Sequence, residues 1–406
     1  MKKILLFIGM VYSASLCADK LELNDAIEKT LHNHPDLKSS YLRVRQSEES
    51  YKSSFSAYLP QVNLQANYNI EDAMYDDTTW NVGANLNQKI WDFSKTSSLV
   101  KVSKLDQEIS KLSVEDLKHL LAYKVKSFYE EMILYKETIK VREQDLQLKK
   151  DYYNQSKALV EQGLRTQADS SSFLSAVYLA KTNLFNAKAS YEKAKNSLSL
   201  YMGEDISDTI ELDHSILTKG IEFSNINVDD ILNENYDLKI DKKNIDKNVL
   251  IHKSTKASHY GSIDAIASYT HLDNIKSYDT KSLGITLNIP LYTGGKLSAE
   301  TQKARINSQI AQETKISKEL ALREEVESLI IDIKSYDKTI LSKQAQLEAS
   351  KEAKKVLDAR YKEGFSTYIE VLDASSSVLN AQLGVLETFY KKSLAINRIN
   401  YLRGKI

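Results

Sequence analysis

Two threonines are each followed by an acidic residue three positions later, and these acids are the strongest candidates for functional side chains in the chain. Thr166 precedes Asp169 by three residues, and Thr367 precedes Glu370 by three residues. A hydroxyl at an N-cap and a carboxylate at the third helical position form a capping box, and an acid in a first turn offsets the helix dipole. Asp373 lies beyond the box, so capping does not account for it.

Enzymatic chemistry has little support in the remaining residues. His32 and His34 resemble a metal pair, but no cysteine or acidic residue has ligand spacing with them. The other histidines are scattered, and no serine lies in a nucleophile elbow. We therefore expect no catalytic residue, no metal site and no cofactor, and we do not expect an enzyme.

Composition limits the partners and the fold class. The 406 residues include 55 basic and 55 acidic side chains, so the net charge is zero and gives no electrostatic footprint for nucleic acid. Only 3 prolines and 12 glycines interrupt the chain, which favours unusually long helices. The single cysteine cannot form an internal disulfide.

The first 18 residues have the layout of a secretory signal peptide. Two lysines precede an apolar run over residues 4–12, and small or weakly polar residues follow. The mature chain is expected to begin near Asp19. Cys17 raises lipid attachment as an alternative, although the bulky Leu16 before it fits a lipoprotein signal poorly. No later stretch has the ~18 continuous apolar residues of a transmembrane helix, so the sequence indicates an exported protein that is not a helical membrane protein.

A self-match at a constant offset of 201 residues runs along the chain. It pairs three glycines with three others: Gly83 with Gly284, Gly163 with Gly364, and Gly203 with Gly404. Such a register predicts a tandem duplication of one long unit. The predicted boundaries are a first structural repeat at 19–204, a linker at 205–227 and a second structural repeat at 228–406.

Within each repeat the hydrophobic period changes from helix to strand and back. Alternating apolar and polar residues predict β-hairpins at 61–92 and 262–292, with the last apolar strand position at Leu291. Strands of about ten residues with this alternation are typical of a transmembrane β-barrel. The alternative is an ordinary antiparallel sheet with one face on a core, but no second apolar layer is evident to cover these strands. Four strands cannot close a membrane barrel, so the barrel must be shared between chains.

The helices are predicted from the absence of breakers. Neither glycine nor proline occurs at 95–162 or at 296–363. Apolar residues recur there at steps of three and four, which marks a packed seam. Gly163 and Gly364 are the expected chain reversals, and shorter return helices follow each of them. Pro60 and Pro290 are placed at strand–helix junctions, where a missing amide donor does least harm.

Four segments of the chain resemble the outer-membrane efflux protein family, the TolC-like exit ducts. They are the leader motif Asn33-His34-Pro35-Asp36-Leu37, the strand-to-helix stretch at 284–295, the turn at 361–364 and Val371-Leu372-Asp373-Ala374. The resemblance implies a mixed α and β fold in a homotrimer, in which each chain gives four strands to a shared 12-stranded membrane β-barrel and long helices to a periplasmic α-barrel. It also implies a passive channel of a tripartite efflux or type I secretion system in the outer membrane.

The resemblance further implies partners and a gate. The partners would be a periplasmic adaptor protein and an inner-membrane transporter of the RND, ABC or MFS class, with lipid around the barrel. The turns at Gly163 and Gly364 would form a periplasmic tip that closes and that docks onto the adaptor protein and the transporter. Asp169, Glu370 and Asp373 match acidic positions at the constriction, and three copies would form a ring that favours cations. Capping alone and capping combined with a lumen-facing role both remain open for Asp169 and Glu370.

A tyrosine latch is also implied. Tyr361 matches a residue that helps to hold the tip shut in relatives. The basic residue often found two positions after the second turn glycine is Ser366 here, so the expected substitutes are Arg165 and Arg360.

A rival interpretation is a periplasmic coiled-coil spacer or adaptor with a small β-domain and no pore. Extraction distinguishes the two. We expect the protein to stay with the membrane fraction in salt and alkali and to need detergent for release. Release by salt or alkali alone would support the spacer.

Overall fold

The computed structural model describes residues 20–71, 77–207, 211–213, 227–273 and 276–405. The predicted signal peptide, Cys17 and most of the linker at 205–227 lie outside these ranges.

The chain forms two compact units, each assembled from three segments. The helical unit contains the described residues of 1–34, 121–223 and 332–397. The sheet unit contains those of 35–120, 224–331 and 398–406.

In the described residues, the two halves of the chain contain the same strands and α-helices in the same order, and the first half adds a 3-10 helix at Ser56–Tyr58. The first half comprises β1 (Lys20–Leu21), α1 (Leu23–Asn33), α2 (Pro35–Phe55), β2 (Gln61–Glu71), β3 (Asp77–Trp91), α3 (Lys95–Glu161) and α4 (Gln167–Met202). The second comprises β4 (Glu211–Leu212), α5 (Val228–Glu234), α6 (Tyr236–Ala257), β5 (Ser262–Asp273), β6 (Tyr278–Asn288), α7 (Lys296–Lys362) and α8 (Tyr368–Leu402). The outgoing helices α3 and α7 are 67 residues each, and the return helices are 36 and 35.

An asparagine side chain in each half connects the two short helices at its start, α1 and α2 or α5 and α6, to the end of the return helix, α4 or α8. In the helical unit, Asn33 Nδ2 donates to the carbonyl of Met202 at 3.0 Å. In the sheet unit, Asn235 Nδ2 donates to the carbonyl of Leu402 at 3.0 Å. Carbonyls in the last turn of a helix lack intrahelical donors, so each amide satisfies one of them.

The sheet has the order β2-β3-β5-β6, and all neighbours are antiparallel. Apolar residues align across the ladder: Val62 faces Leu86, Ala84 faces Tyr269, and Ala267 faces Leu283. The other face is mainly polar, although Ile266 lies on it, and it has a 3.0 Å hydrogen bond from Asn67 to Asn81 and a 2.6 Å contact between the hydroxyls of Ser268 and Ser282.

The apolar face of the sheet is uncovered within the chain. Leu64 is 78% exposed and Leu283 is 87% exposed. An ordinary soluble sheet buries its apolar face on a core, and this one does not.

The last strand is shorter than its apolar pattern predicts. β6 ends at Asn288, so the placement of Ile289 and Leu291 in the strand was wrong. Pro290 has no amide hydrogen to donate to a ladder, which explains why pairing stops before it.

Equivalent left-handed turns lead from each hairpin into its outgoing helix. Phe93 and Ser94 have φ of 55° and 75°, and Gly294 and Gly295, 201 residues later, have φ of 60° and 81°. Glycine takes this conformation without a steric penalty, whereas Phe93 and Ser94 do not. Asp92 supports the first turn by accepting hydrogen bonds from the amide of Thr96, at 2.8 Å, and from its hydroxyl.

The core of the helical unit contains part of the predicted seam of α3. Val125 and Met132 of the seam are fully buried there, together with Ile133 of the same helix and Leu198 of α4. Tyr129 connects this core to the short parallel pair β1 and β4, because its hydroxyl donates to the carbonyl of Leu21 at 2.9 Å and accepts from the amide of Asp213 at 3.1 Å.

The buried carboxylate of Glu130 lies in the same core. Glu130 is 1% exposed, and its Oε1 accepts from Ser393 Oγ and Asn397 Nδ2, both at 2.7 Å. Burial raises the pKa of Glu130 to about 7. The helices α3 and α8 are therefore joined by a buried polar contact in this core.

Among the described residues, no helix combines the length and the apolar composition needed to span a bilayer.

A pair of repeat-related glycines tests the sheet packing. In the Gly83→Ala variant, the new Cβ would lie 2.7 Å from Thr270 Oγ1 and 3.0 Å from the Tyr269 carbonyl oxygen. Overpacking of this kind costs about 1–3 kcal/mol, so the β-sheet circular dichroism signal in detergent should be lost at a lower temperature. The matched control is Gly284→Ala, whose Cβ would meet only Ile266 Cγ1 at 3.8 Å. Equal losses in the two variants would contradict this packing.

Candidate functional site: the paired helix turns

Each outgoing helix reverses through a glycine turn in the helical unit. Gly163 and Gly364 have φ of 70° and 83°, a conformation that favours glycine. The amides of the following residues, Leu164 and Phe365, donate to carbonyls five residues back at 2.9 and 2.8 Å. This is the hydrogen bond of a Schellman motif, which closes the helix end.

Both predicted capping boxes are present at the starts of the return helices. The hydroxyl of Thr166 accepts from the amide of Asp169 at 3.3 Å, and the amide of Thr166 donates to the Asp169 carboxylate at 3.4 Å. In the second turn the same two contacts join Thr367 and Glu370 at 3.3 and 2.7 Å.

The Glu370 carboxylate accepts more hydrogen bonds than that of Asp169. Its Oε2 also accepts from the hydroxyls of Ser366 and Thr367, each at 3.0 Å. The hydrogen bond from the Thr367 amide, with these two hydroxyls, holds the pKa of Glu370 below its usual range. Asp373 is exposed one turn further along α8, at a spacing that places it on the same helix face.

Arg165 reaches from the first turn to the second. Its Nη2 donates to the carbonyl of Ser366 at 2.9 Å, and its guanidinium lies 5.0 Å from the ring centroid of Tyr361. Arg360, in contrast, donates at 3.3 Å to the carbonyl of Phe365 in its own turn. The structure thus brings Arg165, Tyr361 and Ser366 together and leaves Arg360 outside that group.

An aromatic cluster packs beneath Arg165. We call Tyr152, Phe173, Tyr361, Tyr368 and Val371 the turn cluster. The ring of Phe173 meets that of Tyr361 edge-on at 5.8 Å and that of Tyr152 at 5.6 Å. Tyr361 is 1% exposed, and burial raises the pKa of its hydroxyl, which lies beside the buried hydroxyl of Ser156.

Polar contacts flank the turn cluster and join the two halves of the chain. The Tyr152 hydroxyl donates to Asp358 at 2.6 Å, and Lys354 forms an ion pair with the same carboxylate at 2.6 Å. The buried Lys149 of α3 donates to Ser375 Oγ of α8 at 2.9 Å, and burial lowers the pKa of this lysine.

Several of these contacts have no signal in the sequence. Lys149 and Asp358 are single charged residues in helices that contain many others, so nothing in their spacing marks them. The acceptor for Arg165 is a backbone carbonyl, which every residue has. Pro60 lies directly before β2 and Pro290 lies two residues after the end of β6, both in the sheet unit.

Comparison with known proteins agrees with this architecture. The sequence profile of the family described as outer membrane efflux protein matches residues 26–204 and 228–404. The outer membrane protein TolC of Vibrio cholerae is 24% identical across 100% of this chain and 96% of its own length. The outer membrane efflux protein BepC of Brucella suis is 23% identical across 90% of this chain and 81% of its own length.

A solved structure has the same fold. The crystal structure of the outer membrane protein VceC of Vibrio cholerae superposes with a TM-score of 0.84 at 16% identity, covering 94% of this chain and 96% of that one. These matches favour the duct over the periplasmic spacer. The chain belongs to the outer membrane efflux protein family and acts as an outer-membrane channel for efflux.

Proposed function

We propose that the chain is one third of a homotrimeric duct with a 12-stranded barrel in the outer membrane. The observation that supports this most is the four-stranded sheet, which leaves its apolar face exposed and has β2 and β6 as its edge strands. In lipid every backbone N–H and C=O needs a partner inside the protein, so these edges must pair with other copies.

Strand directions are compatible with closure. The sheet has an even number of antiparallel strands, so β2 and β6 run in opposite directions. β6 of one copy can therefore pair with β2 of the next and continue the antiparallel order. Two copies would give eight strands and three would give twelve, and resemblance to the family favours three.

The dimensions of the apolar band suit a bilayer. Trp80 and Trp91 of β3 are both on the apolar side of the ladder, opposite Tyr68 and Ile263 respectively. At about 3.3 Å per residue they lie roughly 36 Å apart along the strand, which becomes about 28 Å along the normal at a tilt of ~40°. Aromatic residues at both ends of such a band are typical of membrane–water interfaces.

The helices also leave an apolar stripe for another copy. Ile306, Ile310, Ile316 and Leu320 of α7 are exposed. At ~100° per residue they fall within an arc of about 120°, a continuous stripe on one side of the helix. A neighbouring copy in a trimer would cover it, as in a periplasmic α-barrel.

The duplication is part of the same proposal. It is supported by the offset of 201 residues, by two separate matches to the family profile and by the equal lengths of α3 and α7. The repeat boundaries remain 19–204 and 228–406.

The paired turns are proposed as the gate. Contacts from Arg165 to Tyr361 and Ser366 tie the two helix hairpins together, which would hold the duct closed. A periplasmic adaptor protein and an inner-membrane transporter of the RND, ABC or MFS class would engage this end and supply the energy. Opening would then require the Arg165 contacts to break.

The latch can be tested by single-channel recording in planar bilayers. Arg165→Ala removes a charge-assisted hydrogen bond worth about 1.5–3 kcal/mol, so the open population should rise by roughly tenfold or more. The matched control is Arg360→Ala, which removes the same charge but only a bond within its own turn. An unchanged open population in Arg165→Ala, or equal increases in both variants, would refute the latch.

The selectivity ring is tested by reversal potentials in a salt gradient. Glu370→Gln combined with Asp373→Asn should reduce cation selectivity, and Asp373→Asn alone should account for most of the loss because Glu370 is committed to capping. The control pair Glu161→Gln and Glu363→Gln removes two charges from the turns themselves. Unchanged reversal potentials in the double variant would remove Glu370 and Asp373 from the pore.

A further inference from the structure

A basic groove lies where α6 and α7 approach the sheet, within the sheet unit. Its volume is about 550 Å³. The side chains that matter for its chemistry come from both helices and the strand junction: His252, Lys256, His259, Tyr260, Thr301 and Arg305.

The groove has donors and cations but no carboxylate in its lining. Lys256 and Arg305 are exposed, and within the described ranges neither forms an ion pair. The His259 Nε2 and Thr301 Oγ1 atoms are 3.2 Å apart, so a hydrogen bond joins the turn after α6 to α7 at the groove. An ammonium and a guanidinium on opposite walls are suited to an oxyanion, above all a phosphate.

Aromatic contacts connect the groove to the apolar face of the sheet. The ring of Tyr260 lies 5.4 Å from that of Phe93, which lies 6.2 Å from that of Trp91. Trp91 is opposite Ile263 in the ladder, on the apolar face. Tyr260 therefore joins the groove to the aromatic residues that end the apolar band next to the helices.

We propose that this groove binds the phosphate of an anionic phospholipid in the periplasmic leaflet of the outer membrane. The inference rests on the proposed insertion of the sheet in the bilayer. Interfacial aromatic residues lie at headgroup depth, so Lys256 and Arg305, next to Tyr260, meet the phosphate layer. Basic pockets on one side of a membrane domain bind lipid headgroups by this charge complementarity.

A second groove provides the matched control. It is lined by Lys101 and Lys104 of α3, but also by the carboxylates of Glu108 and Asp246. Lys104 lies nine residues into α3, and Arg305 lies nine residues into α7. Neutralising Lys101 and Lys104 thus removes two charges, one of them at the position equivalent to Arg305, from a groove that already contains acids.

The test compares lipid retention by the full-length protein in detergent, measured by native mass spectrometry with phosphatidylglycerol or phosphatidylcholine added. The unaltered protein should retain phosphatidylglycerol preferentially. The variant with Lys256→Gln and Arg305→Gln should bind it about 25-fold more weakly, because each cation at an anionic membrane surface contributes roughly fivefold. The Lys101→Gln, Lys104→Gln control should keep the preference.

The remaining outcomes separate the alternatives. Equal retention of the two lipids, or equal losses in the two double variants, would overturn the groove assignment. Binding of inorganic phosphate that is lost in the Lys256, Arg305 variant, together with equal retention of the two lipids, would show that the groove takes free phosphate and would overturn the lipid assignment. A protein that is soluble and monomeric without detergent would instead refute the proposed duct. A detergent-dependent trimer with unchanged binding in the Lys256, Arg305 variant would refute only the groove.

Discussion

Backbone amide and carbonyl groups along β2 and β6 must find hydrogen-bond partners wherever the sheet meets lipid, and this requirement governs the rest of the architecture. A four-stranded antiparallel sheet cannot satisfy it alone, because two edges always remain. The exposed apolar face adds a second demand, since residues such as Leu64 and Leu283 need a cover that the chain does not provide. In the proposed trimer, lipid on one side and further copies at the edges would meet both demands at once.

The two halves repeat the same elements, but they contribute different side chains to the contacts between the two turns. Thr166 with Asp169 and Thr367 with Glu370 form the same capping box. Only the first half provides Arg165, and the second half provides the carbonyl of Ser366 and the ring of Tyr361 that this arginine contacts. A duplicated scaffold that carries different side chains can thus join its two turns by direct contacts. The same divergence is visible where Phe93 and Ser94 occupy a turn that Gly294 and Gly295 form in the second half.

Most of the fold was predictable because the sequence patterns that indicate it either repeat at a regular spacing or mark the ends of helices. The alternation from Val62 to Ile70, the glycines at the helix reversals and the threonine–acid spacings each have one structural consequence, and the structure contains all of them. The end of β6 was wrong because the apolar pattern continued past Pro290, which stops pairing whatever the neighbouring side chains are. The burial of Glu130 and Lys149 could not be predicted, since it depends on which faces of α3 and α8 meet. The Arg165 contact was predicted only as one of two options, and its acceptor is a backbone atom that no sequence pattern identifies.

The most direct test of the shared barrel is disulfide cross-linking between edge strands, in a background where Cys17 is replaced by serine. Gln65→Cys on β2 would be combined in turn with Thr280→Cys, Ser282→Cys or Thr286→Cys on β6, all on the polar face of the sheet. At least one combination should give a covalent ladder under non-reducing conditions that ends at three chains. A ladder that stops at two, continues past three or never forms with any combination would contradict a barrel closed by three copies.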